Sequence, residues 1–542
     1  MSLDADRTPV IVAVGQAESR DLTLGPLDLA ALAGREALDG ASGLAAAIER
    51  LTLVNILSSR AGIAPASELV AALGLRDVAR ETTTIGGNTP QATVERAAGD
   101  IAAGRLTATL ILGAEAVRSG RMGGGGTPAE SAPAKGAPPR AGGGAPAGAR
   151  TNPPERPGGM PSRATTPDPV VGVDQPDLSD EEHMAGLLIP LHVYALFESV
   201  LAARAGRTPA EQRDFIGQLM APFTEVAAGN PHAWFRQARS ANELATVTPE
   251  NRLVVEPYVK TTVAFLGPAQ AAALVVTSLS VARSLKLEDG AMFVWSAASA
   301  NDVWYPMARP DIGRSAGLEA AAGAALQMAG VTVGDVSDFD LYSCFPSAVQ
   351  IGAASLGLPV DVDNPEQTRR LTLTGGLPYF GGPGNNYSTH AIAAMFELFR
   401  AGAAGAGAKQ PRIGLVTGVG WYLTKHSVGI YGSAPSPHGY EAADTTNAQN
   451  AIDASAMPCL KVGEAASTTA TVEASTVLYD RDTNPVAAPV LATLEDGRRL
   501  AASAGDGEVA DVAGTFLVGA RIHVEASAGA HTAPRYRVLG LP

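Results

Sequence analysis

The stretch Asp340-Leu341-Tyr342-Ser343-Cys344-Phe345-Pro346-Ser347 follows a helix-like run, Gly317 to Gly330, and holds one of only two cysteines in 542 residues. Phe339 to Tyr342 reads as a strand, and Cys344 stands at its exit. A loop there can aim a cysteine into a cleft as nucleophile or acid/base. The competing reading is structural, because a lone cysteine is more often a small buried apolar residue. The flanking sequence has to separate the two.

A chain of 542 residues is long enough for several domains and a large core, and needs no disulfide framework. Cys344 and Cys459 sit in no CxxC or Cys/His cluster, which points to a reducing compartment and away from a zinc site. No stretch reaches the roughly 20 apolar residues of a membrane span, and the first residues lead straight into an apolar strand. The expectation is a soluble, cytoplasmic protein. A formal charge of −14 argues against nucleic acid as a partner. It leaves room for a phosphate-bearing ligand held by a few local cations and helix N-termini.

Working outward, strands and helices alternate on both sides of that stretch. Pro9 to Gln16, Leu51 to Leu57 and Thr107 to Gly113 read as strands; Leu27 to Leu38, Ala66 to Leu73 and Gln91 to Ala103 read as helices. A second α/β series starts at Met292 and runs through Arg412 to Val419 and Ser427 to Tyr431. Two such halves imply a duplicated, mostly parallel architecture. Residues 119–174 are crowded with Gly, Pro, Ala and Ser and read as a mobile insert. Thr208-Pro209-Ala210-Glu211 fits a capping box. Residues 433–470 read as a linker. From 471 to 542 the texture becomes short strands at Thr471 to Tyr479, Val486 to Glu495, Gly514 to Val518 and Arg521 to Glu525, a small antiparallel β-barrel.

Several places resemble the thiolase superfamily, the acetyl-CoA acetyltransferase family, and most of all its sterol-carrier-protein type. Asn88 to Gly113 is similar to the nucleophile helix and its following strand, and Glu115 falls at the Gly-x-Glu. Asn230-Pro231-His232-Ala233 resembles the Asn-Pro-x-Ala of the loop domain, and Phe265 to Val276 the strand entry that closes it. Tyr342-Ser343-Cys344-Phe345 resembles His-Asp-Cys-Phe, and Gly375-Gly376 through Gly384 the Gly-Gly…Gly-His-Pro turn. The shared order implies a duplicated five-layer αβαβα fold. Its N-terminal half is 1–118 plus 250–285, its loop domain 119–249 and its C-terminal half 286–432. The appended barrel is OB-like.

The resemblance also shows where this chain departs. It puts Gly86 at the nucleophilic cysteine, Gly382 at the histidine of Gly-His-Pro and Val416 at the second cysteine, while Tyr342 replaces the histidine of His-Asp-Cys-Phe. Thiolysis through an acyl-enzyme is therefore not expected. Five residues remain as candidates for catalysis: Cys344, Tyr342, His390, Asn385 and Asn386. Tyr342 reads either as a proton donor or acceptor or as a core tyrosine. His390 reads as a base reaching the cleft or as a helix histidine at a domain seam. Asn385 and Asn386 read as caps or oxyanion donors. His426 reads as part of a surface turn. Gly86, Gly87, Asn88, Gly382 and Gly418 are the candidate substrate-binding positions. No metal and no cofactor is expected, coenzyme A entering as a substrate moiety. The function implied is acting on or binding acyl-CoA thioesters in fatty-acid or sterol side-chain metabolism. The alternatives are a retro-aldol lyase on 3-hydroxyacyl-CoA using Tyr342 and a non-catalytic acyl-CoA-binding or scaffold protein.

Overall fold

The computed structural model describes residues 4–118, 166–403, 411–525 and 532–541, apart from residues 22, 59–61, 462, 465, 466 and 506. Ten strands build the main sheet: β1 (Pro9–Glu18), β2 (Arg50–Leu53), β3 (Ala79–Thr83), β4 (Ala108–Ala116), β5 (Val170–Val171), β6 (Ala269–Ser278), β7 (Met292–Asn301), β8 (Asp338–Asp340), β9 (Ile413–Gly420) and β10 (Lys425–Gly432). Their order is β8-β9-β10-β7-β1-β6-β4-β2-β3-β5. Every residue of β4 and β6 is buried. Continuous Ala, Val, Leu and Ile runs with no polar face demand cover on both sides.

The duplication is visible in the pairing. In one half β1–β6 and β6–β4 are antiparallel and β4–β2 is parallel. In the other, β7–β10 and β10–β9 are antiparallel and β9–β8 is parallel. The two halves join through β1 and β7 at Val10 opposite Phe293 and Ile11 opposite Met292. The helices Thr89–Ala102 and Tyr387–Ala403 pack against strands of both halves and form the middle layer. Pro26–Leu38 covers the first half from outside and Ala316–Ala329 the second. The layers run αβαβα, as the sequence implies.

The barrel is closed by Thr468–Ser475, Pro489–Leu494, Arg499–Ala504, Arg535–Gly540 and Arg521–Glu525, in that order. It encloses its own core of Val472, Val490, Leu500, Ile522 and Tyr536. It is not wholly antiparallel, because Ser503 pairs with Arg535 in parallel. Gly514 to Val518 is not a strand: Gly514 takes φ +76° in a turn.

Two segments read as structureless carry structure. Residues 433–470 contain the helix Thr446–Ala454, whose Gln449 side chain accepts from the Asn301 N–H at 2.7 Å and donates to the Asn301 carbonyl at 3.1 Å. Of the insert, 119–165 lies outside the described residues, but 166–174 is packed. Val170 and Val171 add β5 to the edge of β3. Asp168 accepts from the Ala66 N–H at 2.8 Å, and Asp174 accepts from the Trp421 indole at 2.8 Å. Those anchors are single polar side chains, which a compositional reading of Gly and Pro passes over. No helix among the described residues is long and apolar enough to cross a membrane.

Candidate functional site: a closed turn beside an open groove

The turn Ile85–Asn88 leads into the helix Thr89–Ala102. Gly86 has φ +147°, a conformation open to glycine alone. Its N–H donates to Asn385 Oδ1 at 2.9 Å, and its carbonyl accepts from the Thr89 hydroxyl at 2.7 Å. Asn385 in turn donates to the Asn55 carbonyl at 2.9 Å. Its carboxamide therefore stitches the Gly86 turn to the end of β2. Asn386 donates to the Gly113 carbonyl at 2.7 Å and accepts from the Thr389 hydroxyl at 2.6 Å. Both Asn side chains are spent on the fold, which corrects their reading as oxyanion donors.

Tyr342 lies flush against this turn. A Cβ added at Gly87 would collide with the Tyr342 hydroxyl and the Val419 carbonyl, and one at Gly86 with Asn88 Oδ1. One at Gly418 would come 2.9 Å from the Asn88 Cα, so the three glycines let backbone pass against backbone. Tyr342 is held by Thr417 and Tyr387, and Tyr387 in turn by Asp340. Asp340 is fully buried and accepts from the Leu373 and Thr374 N–H groups at 2.9 and 3.0 Å and from the Tyr387 hydroxyl at 3.0 Å. The Tyr342 N–H donates to the Thr417 hydroxyl at 2.8 Å, and its ring meets Tyr387 edge-on at 5.4 Å. Burial raises the Tyr342 phenol, so it stays protonated.

Cys344 packs beside Tyr194 and Tyr342. It is buried against the Tyr194 hydroxyl, and burial pushes its thiol up to about 12. At neutral pH it is a thiol, the wrong form for a nucleophile. His390 is also out of place as a base. Its ring packs against β1, with Nδ1 donating to Gln16 Oε1 at 2.7 Å and the Phe380 ring 5.0 Å away. Burial drives it down to about 3, so it is neutral. The helix Tyr387–Ala403 sends Ser388, not His390, to the turn, where its hydroxyl donates to the Gly87 carbonyl at 3.0 Å.

Lys425 is the residue that sequence reasoning missed. Its ammonium donates to the Ile85 carbonyl, to the Val173 carbonyl at 3.3 Å and to Asp174 at 3.3 Å. The rings of Trp304 and Trp421 lie 5.8 and 5.7 Å away. It thus fastens the Gly86 turn to the segment after β5. His426 is not in a surface turn either. It is fully buried in β10, with Nε2 2.9 Å from Asp302. A Lys-His pair at a strand start looks like a solvated turn, and only the burial of β10 on both faces reveals otherwise.

Gly382 backs a different feature without lining it. Its N–H donates to the Phe265 carbonyl at 2.8 Å, in the wall of an open groove of about 840 Å³. Phe235, Val263, Phe265, Leu266 and Tyr379 supply the apolar lining, with Arg239 and Lys260 also bordering it. The Ala264 N–H donates to the Cys344 carbonyl at 2.9 Å, which ties this wall to the strand exit. Tyr379 is 4% exposed, yet its hydroxyl has no hydrogen-bond partner among the described residues.

Residues 447–528 match the family model described as the thiolase-like protein type 1 additional C-terminal domain. Over its length the chain is similar to a monomeric SCP2-thiolase-like protein type 1 from Mycobacterium smegmatis, at 29% identity and a TM-score of 0.76, covering 99% of this chain and 100% of that one. The chain has the thiolase fold and carries the additional C-terminal domain of the thiolase-like proteins type 1. Two further structures share the fold at lower identity. One is titled an Ltp2-ChsH2(DUF35) aldolase (18% identity, TM-score 0.56, 79% of this chain and 98% of that one). The other is the dimeric peroxisomal thiolase of Saccharomyces cerevisiae (14%, TM-score 0.53, 79% and 98%). No curated protein sequence gives a significant match.

In this thiolase-like chain the three positions that the resemblance assigns to Cys, His and Cys hold Gly86, Gly382 and Val416, and Val416 is fully buried in β9. The Gly86 N–H, which would face an oxyanion at a nucleophile's position, already has its acceptor in Asn385. The described turn contains a protonated phenol and a bound ammonium, and no free nucleophile.

Proposed function

We propose that this protein binds CoA thioesters in the Phe235–Phe265–Tyr379 groove and does not cleave them through an acyl-cysteine. The observation that carries this reading is the contrast between an open, mostly apolar groove of about 840 Å³ and a neighbouring turn packed shut by Tyr342, Asn385 and Lys425. An acyl chain and a pantetheine arm suit the apolar wall, and Arg239 and Lys260 suit phosphate groups. Glu243, also in the wall, is occupied in capping its own helix, accepting from the Ser240 N–H at 2.7 Å. Coenzyme A is then part of the ligand, not a resident cofactor, and fatty-acid or sterol side-chain metabolism in the cytoplasm is the setting that the resemblance suggests.

Calorimetry with CoA and acetoacetyl-CoA tests the reading: saturable binding of either, weakened by Thr246→Trp in the groove wall, is expected. Absence of binding by the wild-type chain would overturn it. A second reading, a lyase on 3-hydroxyacyl-CoA, draws on the protonated Tyr342 phenol beside Gly87 and on the aldolase title of one fold relative. Release of an aldehyde or ketone without consumption of free CoA, abolished in Tyr342→Phe, would select it.

A further inference from the structure

Two stretches of the groove wall, residues 250–251 and 260–261, are the two ends of one β-hairpin. Its strands are Leu253–Val255 and Tyr258–Val259. At its base the Lys260 N–H donates to the Arg252 carbonyl at 3.0 Å. The Thr261 N–H and hydroxyl donate to Asn251 Oδ1 at 3.0 and 2.8 Å. A hairpin this short is marginal by itself and takes its geometry from what it pairs with. Lys260, one of the two cations bordering the groove, stands where the hairpin's register puts it.

The hairpin pairs with the C-terminal domain. Residues 476–480, inside the stretch that matches the additional C-terminal domain, run along it from tip to base. At the tip the Thr476 hydroxyl donates to the Glu256 carbonyl at 2.8 Å, and the Glu256 N–H donates to the Val477 carbonyl at 2.9 Å. Leu478 then stands opposite Val255, and the Arg252 guanidinium donates to the Asp480 carbonyl at 3.2 Å. Glu256 is buried, and its carboxylate accepts from the Tyr479 hydroxyl at 2.8 Å and from the Arg213 guanidinium at 3.0 Å. Charge-assisted bonds of this kind fix the orientation of every partner they join. Neither Glu256 nor any of residues 476–480 lines the groove. We propose that the C-terminal domain completes the groove: Tyr479 holds Glu256, and Glu256 is the positioning residue that sets, through the hairpin, where Lys260 meets a ligand's phosphate. This rests on the reading of the groove as a CoA site, and the test keeps the two apart.

Calorimetry with CoA and amide hydrogen exchange on the full chain provide it. Tyr479→Phe removes the donor to Glu256 and keeps the ring. It should weaken CoA binding about fivefold, the value of one hydrogen bond. Exchange should quicken at Lys260 and Thr261 and stay unchanged at Ala264 and Phe265, whose N–H groups donate to the Cys344 and Leu377 carbonyls instead. In a Lys260→Ala background the same substitution should cost no further affinity, because the side chain it positions is gone. Tyr536→Phe is the stability control: it deletes a buried hydroxyl that donates to the Ala488 carbonyl at 3.0 Å inside the barrel. It should lower the melting temperature and leave CoA affinity and exchange at Lys260 as they are. Additive losses in the Tyr479→Phe, Lys260→Ala double variant, or an equal loss of affinity in Tyr536→Phe, would make residues 476–480 a general support and overturn the proposal. Unchanged exchange at Lys260 and Thr261 in Tyr479→Phe would overturn it whether or not CoA binds. A wild-type chain that binds no CoA overturns the reading of the groove, and exchange at those two amides then decides the positioning role alone. Should Tyr479→Phe not fold, Thr476→Val, which removes the donor to the Glu256 carbonyl, takes its place with the same expected outcomes.

Discussion

The Gly86 turn and the Phe265 groove are neighbours linked by the Tyr342–Cys344 strand exit, and they differ in almost every physical respect. At the turn, Gly86, Gly87 and Gly418 are small so that other groups can come close: Tyr342, Asn385, Ser388 and Lys425 fill the space and use its backbone hydrogen bonds. At the groove the lining is mostly apolar and open, and a buried tyrosine hydroxyl has no partner among the described residues. The turn is packed shut; the groove is open.

The largest test of that contrast is to force a side chain into the turn. Gly87→Ala sets a methyl against the Tyr342 hydroxyl and the Val419 carbonyl, and a backbone carbonyl cannot move aside. Overpacking of this kind costs about 3 kcal/mol, and chemical denaturation should read at least that. Gly86→Cys adds the strain of φ +147° to a collision with Asn88, so no acyl-enzyme should be trapped by mass spectrometry with acetoacetyl-CoA. A stable, acylated Gly86→Cys protein would show that the turn is open after all.

Next in size is Lys425→Met, which keeps the stem and removes the ammonium. The Ile85 and Val173 carbonyls lose a donor and Asp174 loses its cation. The expected loss is about 2 kcal/mol, together with faster amide exchange at 170–174. Unchanged exchange there would mean that β5 and the Trp421 indole hold the segment by themselves.

Much of this architecture is legible from residue pattern. The apolar runs of β1, β4 and β6, the duplicated halves, the Thr208–Glu211 capping box and the barrel all follow from hydrophobicity and turn residues, which act locally. The Gly86, Gly87, Asn88 and Gly418 convergence is legible from spacing that resembles a known family. What escapes is any role set by a partner far along the chain. Asn385 meets Gly86 across 299 positions and Lys425 meets Ile85 across 340. His390 looks like a base because histidine titrates near neutrality; its desolvation against Gln16 and Phe380 is invisible until the layers are stacked.

That histidine gives the third test. Its folded value, about 3, lies below the ordinary histidine value of 6.5. Between those values the unfolded chain binds a proton that the folded chain does not, so the group's contribution falls as pH drops. From pH 7 to pH 5 the loss is about 2 kcal/mol. His390→Gln should flatten this limb while leaving CoA affinity unchanged. A variant that lost CoA binding with an unaltered acid limb would return His390 to the cleft.

The finest test separates groove from turn at a single atom. The Tyr379 hydroxyl is buried in the groove wall and has no hydrogen-bond partner among the described residues. Removing it in Tyr379→Phe deletes an unsatisfied polar group and leaves the ring's packing intact, so the free protein should gain about 1 kcal/mol. If a bound CoA thioester supplies the missing acceptor or donor, the same substitution should weaken its binding about fivefold, since a neutral hydrogen bond contributes about 1 kcal/mol. Tyr342→Phe makes the matching change at the turn, where the phenol lies against Gly87, and should leave CoA affinity as it is. Opposite signs for stability and affinity at Tyr379, with no affinity change at Tyr342, are what a ligand-ready groove beside a closed turn requires. Equal losses of affinity at both tyrosines would place the ligand across the turn and return the lyase reading to first place.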